Sequence, residues 1–312
     1  MRCKCRQKLI RWGHTKAGTV RWRCPSCGKT KTRQKHGFRH RLLKRFLVDG
    51  DTMNQLAEKY RVHPLTIRNR LHQILDKTPP ISKDLSLPDR LWLITDATHF
   101  KRWGCLLITR ATTIIHPLAI SFHFREDQSS VLEHLRPLSK LTVVGYTTDG
   151  KRGLVTAYQQ VFPEAKQQRC LVHIRMRVQT LLTSQPKLTA GQELLNLIKL
   201  LNPIKDAVNA TAWWELFSEW YETNLPTINE RSHRGKSWWY THKNLRKAAR
   251  HVLNAADNLF VFINQPNSVS NTNHLEGLFG QRKPALVRHR GLSRKRVANT
   301  LLWTFHLLSK KH

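Results

Sequence analysis

Apolar residues recur along this chain in two rhythms. The first is helical and covers residues 39–77. In "RHRLLKRFLVDG" Leu42, Leu43, Phe46 and Leu47 share one face, and the run stops at Gly50. "TMNQLAEKY" predicts a short second helix carrying Met53, Leu56 and Ala57. Pro64 suits the first position of a third, "PLTIRNRLHQIL", which turns Ile67, Leu71, Ile74 and Leu75 inward. Three prolines in "DKTPPISKDLSLPDR" then break the pattern and predict a linker over 79–90.

Beyond the linker the rhythm becomes that of strands. "LWLIT" (91–95), "GCLLITRAT" (104–112) and "IIHPLAISFHF" (114–124) are short, β-branched and joined by turns, which predicts an antiparallel meander. A helix is expected in "DQSSVLEHLRPLSK", a strand in "LTVVGYTT" ending at Asp149, and a helix near "GLVTAYQQVF". A short strand near "AKQQRC" leads into another helix. Three strands, then helix, strand, helix, strand, helix is the order of a ribonuclease H-like α/β fold with a mixed sheet. From about Met176 to Phe262 the pattern is mainly helical, too long for the remaining strand and helix, and reads as an α-helical insertion. The expected organisation is a zinc ribbon (1–36), a three-helix helix-turn-helix unit (37–78) and the linker (79–90). The first part of a catalytic core (91–175), the insertion (176–265) and the last core helices (266–312) follow.

Charge narrows the class of partner. The chain carries 54 lysines and arginines against 20 acids, a formal charge of +34 over 312 residues. Residues 1–78 hold 21 basic and four acidic residues, and residues 281–312 hold nine basic and none acidic. Such an excess points to a polyanion, double-stranded DNA above all, because each neutralised phosphate releases a condensed counterion. No stretch approaches the roughly 20 apolar residues of a membrane span. The start, "MRCKCRQKLIRWG", has no apolar leader segment, so a reducing, cytoplasmic setting is expected for the six cysteines.

Four of those cysteines form two close pairs, Cys3/Cys5 and Cys24/Cys27, separated by 18 residues. Structural zinc held by four thiolates fits them, the alternative being four unligated thiols in a basic arm. Cys-x-Cys departs from the usual spacing of ligand pairs. Between the pairs, "LIRWGHTKAGTVRWRC" alternates tryptophan with cations and predicts a hairpin. On the third helix Thr66, Arg68, Asn69 and Arg70 are expected outward near its start, where a helix-turn-helix presents side chains to base edges.

The scarce acids carry the expected chemistry. Asp96 follows the first core strand and Asp149 the fourth, so adjacent strand ends can bring them together although 53 residues separate them. Two carboxylates at one spot repel unless a cation lies between them. Magnesium or manganese suits all-oxygen ligands and leaves room for phosphate, and two such ions support in-line phosphodiester displacement. After Glu230 the only acids are Asp257 and Glu276. Glu276 lies in "SVSNTNHLEGLFGQRKP", where Asn271 or Thr272 can cap a helix with Leu275, Leu278 and Phe279 on its apolar face. Lys283, two turns further on, is placed to hold a phosphate. Trp238 and Trp239 sit in the basic run "RSHRGKSWWYTHK" and are either core or a platform for an unpaired base.

"TDATHF", "YTTDG", "QRCLVHIR" and "TNHLEGLFGQRKP" resemble the signature blocks of bacterial insertion-sequence transposases of the DDE class, near the Mutator-like group. The ending "HRGLSRKRVANTLLWTFHLL" resembles their tail. The resemblance covers nearly the whole chain, zinc ribbon and helix-turn-helix included. It implies that Asp96, Asp149 and Glu276 bind two magnesium ions. It also places the family's Cys/Asp-x-x-His motif on Cys170 and His173, beside the fifth strand. The implied function is cleavage and strand transfer at element ends, in a bacterial, nucleoid-associated protein that is a homodimer or larger when two ends are synapsed. A domesticated, non-catalytic regulator and a ribonuclease H-like nuclease without strand transfer are the alternatives.

Overall fold

A computed structural model of the protein describes residues 2–16, 18–32, 38–79, 87–100, 103–114, 117–273, 275 and 293–309. By its internal contacts the chain divides into two units, Met1–Lys77 and Thr78–His312. In the first, strands β1 (Ile10–His14), β2 (Val20–Arg23) and β3 (Thr30–Thr32) form an antiparallel sheet in sequence order. Helices α1 (Phe38–Lys44), α2 (Met53–Lys59) and α3 (Pro64–Leu75) follow. A π-helical turn, Arg45–Asp49, extends α1 to a left-handed Gly50. At the start of α2, Thr52 and Gln55 form a reciprocal capping box, and His63 caps α3 ahead of Pro64. Leu42, Leu43, Phe46, Leu47, Leu56, Ala57, Ile67, Leu71 and Leu75 are buried, the core that helical spacing predicts.

In the second unit the core strands are β4 (Leu91–His99), β5 (Cys105–Ala111), β6 (Ala119–His123), β7 (Val143–Thr148) and β8 (Lys166–Arg169). Between and after them come α4 (Gln128–Leu135), α5 (Arg152–Val161) and α6 (Leu171–Leu182). The sheet runs β6-β5-β4-β7-β8; β4, β5 and β6 are antiparallel, and β7 and β8 run parallel to β4. This mixed sheet is the ribonuclease H-like order expected from the sequence. β4 is longer than expected. It stays paired with β5 as far as His99 opposite Cys105, so Asp96 lies inside the strand and not at its tip. Its parallel pairing with β7 ends earlier, at Ile94 opposite Thr147. The strand outlasts its neighbour because the β4–β5 hairpin supplies backbone partners on one edge alone.

The two faces of the sheet are covered differently. Leu91, Leu93, Leu107 and Ala111 pack with Val131 and Leu135 of α4 and Leu154, Ala157 and Tyr158 of α5. On the other face Ile94, Leu106 and Ile108 pack with Leu275, Leu301 and Phe305. The last two belong to a final helix, Arg294–Ser309. Trp92 shares that second face, and its indole N–H donates to Thr147 Oγ1 (2.8 Å). Opposite Trp92 the chain places Gly145, where any Cβ would overlap the indole ring.

A buried polar chain crosses the first face. Thr95 Oγ1 bonds both Tyr158 Oη and Thr109 Oγ1, and Thr109 bonds His134 Nε2 (2.8 Å). His134 Nδ1 bonds Ser121 Oγ (2.6 Å), which also bonds His123 Nε2 (2.7 Å). With a hydroxyl at each nitrogen, His134 is satisfied as a neutral tautomer. Burial first, and the neighbouring His123 second, push its pKa down to about 3.

The insertion follows α6 as α7 (Thr189–Lys199), α8 (Ala207–Thr223), α9 (Leu225–Asn229), β9 (Arg231–Arg234), β10 (Ser237–Tyr240) and α10 (Lys243–Leu253); the final helix is α11. α6 to α8 and α10 enclose a core of their own, in which Trp213, Phe217 and Trp220 are buried. α6 starts at Leu171, where a helix was expected after the short strand, and runs from the end of β8 directly into this bundle. β9 and β10 form an antiparallel hairpin that the helical pattern did not predict. Among the described residues no helix is long and apolar enough to cross a membrane.

Two outcomes follow for stability. His134 titrates near 6.5 when unfolded and near 3 when folded, so its contribution is complete above pH 6.5. It is lost progressively as pH falls from 6.5 toward 3. Thermal melting across that window should show a steep decline that His134→Gln flattens, from a lower starting stability. Gly145→Ala should cost about 1–3 kcal/mol in denaturant unfolding, because the added methyl must displace the Trp92 ring.

Candidate functional site

The site begins with the β4–β7 register. Leu93 lies opposite Tyr146 and Ile94 opposite Thr147. Two residues further along each chain stand Asp96, still within β4, and Asp149, just past β7. Asp96 is only 8% exposed, and its Oδ1 accepts from the Ala97 amide (2.8 Å). Asp149 Oδ1 accepts from the Lys151 amide (2.9 Å), closing a turn through Gly150, whose φ of 76° suits glycine. By strand alternation Asp96 shares the face of Ile94, against which Leu275 packs.

Cys170 caps α6 at the end of β8, and His173 stands in the first turn. His173 is raised to about 9, first by its hydrogen bond with Cys170 and then by the negative charges of Cys170, Asp96 and Asp149, against burial. Burial alone would raise the Cys170 thiol, but its hydrogen bond and charge interaction with His173 hold it below its ordinary value. Cys170 Sγ also lies 3.5 Å from Thr272 Oγ1. The chain returns from the insertion alongside these residues: Thr147 Oγ1 donates to Val269 O (2.8 Å) and the Leu171 amide to Ser270 O (2.9 Å). Glu276 and Lys283 lie outside the described residues.

A third carboxylate that sequence reasoning missed stands nearby. Glu126, nearly buried, takes Lys151 Nζ at 2.6 Å and His99 Nε2 at 2.9 Å. Lys151 Nζ is also 3.3 Å from Asp149 Oδ2, so one ammonium bridges two acids. The signal was present in "RED": Asp127 caps α4, taking the Ser130 amide, which leaves the adjacent Glu126 for another purpose.

In the first unit the four predicted cysteines converge. Sγ–Sγ separations are 3.4 Å for Cys3–Cys27, 3.4 Å for Cys5–Cys24 and 3.6 Å for Cys5–Cys27. Four sulfurs about 2.3 Å from a central ion stand at such separations, so a tetrahedral zinc fits. Among the described residues they are the group of three or more ligand side chains whose donor atoms all lie within 4.8 Å of one another; Asp96, Asp149 and Glu126 do not gather so closely. The Cys27 amide, chiefly, lowers Cys24 to about 6, toward the thiolate a metal requires. The Cys-x-Cys spacing is accommodated by a tight turn in which the Cys3 amide donates to Gln7 O (2.9 Å). On α3, Arg68, Asn69 and Arg70 are exposed, whereas Thr66 is half-buried because it adjoins Ile67 on the inward side. Arg70 lies over the Phe38 ring at 5.2 Å.

Trp238 and Trp239 stand on β10, 48% and 49% exposed, so they are not core. Their surroundings differ. Arg231 covers Trp238 at 4.3 Å, with Tyr240 edge-on at 5.4 Å, while Trp239 faces the other way, opposite Ser232.

Residues 118–286 match the sequence model of the family described as "Transposase, Mutator family". That is more than half of the chain. The chain belongs to the Mutator family of transposases. A search of curated proteins finds no match to it. The match spans Asp149, Cys170, His173 and the whole insertion, and it makes this transposase a DNA-modifying enzyme with DNA as its partner. The four-cysteine cluster lies outside the matched region and is compatible with zinc.

The purified transposase should carry one zinc equivalent per chain by elemental analysis. Cys24→Ser should lower that content and broaden the amide signals of residues 2–32, since a three-stranded sheet of exposed strands has little other core. Full order without metal would show the thiols to be structural alone.

Proposed function

We propose that this transposase recognises the ends of its own element and then cuts and joins DNA strands at Asp96, Asp149 and Glu276. The observation that carries the reading is the pairing of two acids from adjacent parallel strands in a chain so rich in cations. Asp96 is withdrawn from water, and both it and Asp149 act electrostatically on His173. Carboxylates so placed call for a hard cation. Leu275, packed on the face of the sheet that carries Asp96, supports Glu276 as the third member. Two magnesium or manganese ions, when bound, would activate water or a 3′-hydroxyl and stabilise the leaving oxygen.

The chain's own residues hold and tune this site. β4 fixes Asp96 rigidly because the strand is paired well past it. Glu126 anchors Lys151 beside Asp149, where its ammonium offsets the repulsion between the acids until phosphate and metal arrive. His173, kept protonated by Cys170, gives a donor on the α6 side for a carboxylate or a DNA oxygen. Lys283 is assigned to a phosphate on the basis of its helical spacing from Glu276.

The proposed division of labour assigns residues 1–36 to a zinc ribbon and 37–78 to a helix-turn-helix, joined by 79–90 to the core of 91–175 and 266–312. Exposed Arg68, Asn69 and Arg70, with Thr66 beside them, would read base edges in the major groove. The insertion, 176–265, presents Trp238 and Trp239 on a basic hairpin, and Trp239 has the freer ring for stacking on an unpaired base. Bringing two ends together makes a homodimer or larger assembly the working unit.

The test uses duplexes taken from any inverted repeats bounding the gene. Magnesium-dependent nicking and strand transfer should appear with the wild type. Asp96→Asn, Asp149→Asn and Glu276→Gln should each reduce both by about a hundredfold or more, at least the scale of losing one transition-state contact. Cleavage that persists in Asp149→Asn would remove the site. End binding without cleavage in the wild type would leave a regulator, and cleavage without joining a nuclease.

A further inference from the structure

A second cluster beside the acids has the opposite sign. Arg169 ends β8, opposite Thr148 and next to the Asp149 turn. Its side chain lies against Gly150 so closely that a Cβ there would overlap the guanidinium. Two further basic groups approach it from the insertion. Arg177 is exposed on α6, one turn beyond His173. His251 is on α10, which packs along α6. Gln168 fixes this arrangement from below: its amide donates to Leu259 O (2.7 Å) and accepts from the Phe262 amide (3.0 Å), pinning the chain after α10 to β8.

Among the described residues these groups make few of the contacts that basic residues usually find. Arg169 Nε is buried without a hydrogen-bond acceptor. Among the described residues none of the three makes an ion pair within 4 Å. Burial lowers the guanidinium of Arg169, opposed by the charges of Asp149 and Cys170. His251 is pushed down to about 4, first by burial and then by the positive charges of Arg169 and Arg177. Two guanidiniums beside a neutral imidazole, one of them with a buried Nε that has no acceptor, leave room for an anion, and a guanidinium fork matches phosphate oxygens.

We propose that Arg169, Arg177 and His251 form an anion site that takes one backbone phosphate of the DNA strand engaged at Asp96 and Asp149. The site rests on the strand-processing reading above. Arg169 supplies a half-buried guanidinium fork, Arg177 an exposed charge, and His251 a neutral N–H donor. The ligand is a phosphodiester, so the contact positions the strand and reads no sequence.

The experiment measures equilibrium binding of the full chain to a pre-cleaved end duplex closed by a 3′-dideoxynucleotide, so that no reaction proceeds. One neutral methylphosphonate is moved through the linkages near the 3′ end, and affinity is followed against salt. Arg169→Met and Arg177→Met should each bind about tenfold more weakly. Each should lower the slope of log affinity against log salt by about 1. One linkage should weaken the wild type on neutralisation and leave both variants unaffected. Arg169→Lys should keep the slope and lose part of the affinity. Unchanged slopes, or methylphosphonate losses that add to the variants at every linkage, would overturn the site. Should Arg169→Met melt early, exposed Arg177→Met decides alone. A cleavage-dead Asp149→Asn combined with unchanged Arg variants sinks this inference and spares the enzymatic reading; the reverse pattern does the opposite.

Discussion

A carboxylate inside a central strand is tolerated only when cations answer it, and Asp96 sets that condition for the whole second unit. Paired with β5 on one edge, it cannot swing out to water as a loop residue would. Asp149, level with it across the end of the β4–β7 pairing, adds a second negative charge. The surroundings respond with Lys151, which is drawn to both Asp149 and Glu126, and with His173, which is kept protonated by Cys170.

The two faces of the sheet divide the work. On one, the buried chain of Thr95, Thr109, His134 and Ser121 neutralises itself through hydrogen bonds and ties β4, β5 and β6 to α4. Every member has a partner, so this polar layer stiffens the sheet without presenting a charge. On the other face the return segment from the insertion lies beside β7 and α6 through Val269 and Ser270, and Leu275 enters the core. The long excursion between Asp149 and the return therefore closes at the site. A bundle with its own core can be inserted there without disturbing the strands.

Charge is distributed with the same economy. An excess of 34 positive charges is spread over the chain, yet acids and bases are sorted locally around the core. Asp149 and Glu126 share Lys151, with Asp96 on the neighbouring β4; Arg169 ends β8 beside the Asp149 turn, and Arg177 and His251 stand on α6 and α10. Adjacent patches of opposite sign suit DNA, a partner whose backbone is anionic.

Much of this was legible in the residues themselves. Apolar spacing determined the helices of residues 38–75, and β-branched runs determined the core strands and their order, because burial imposes periods of 3.6 and 2 on any stable element. Cysteine spacing indicated the cluster, and the rarity of acids singled out Asp96 and Asp149. Tertiary structure decided what pattern cannot encode. β4 runs past Asp96 only because β5 extends the pairing. Glu126 and Lys151 meet across 25 residues of chain. Trp238 and Trp239 leave the core because a hairpin interrupts the helical bundle. Arg169 becomes a binding candidate because of what folds beside it and what does not. Contacts between residues distant in sequence depend on how strands align and helices cross, and a one-dimensional pattern carries little of that information.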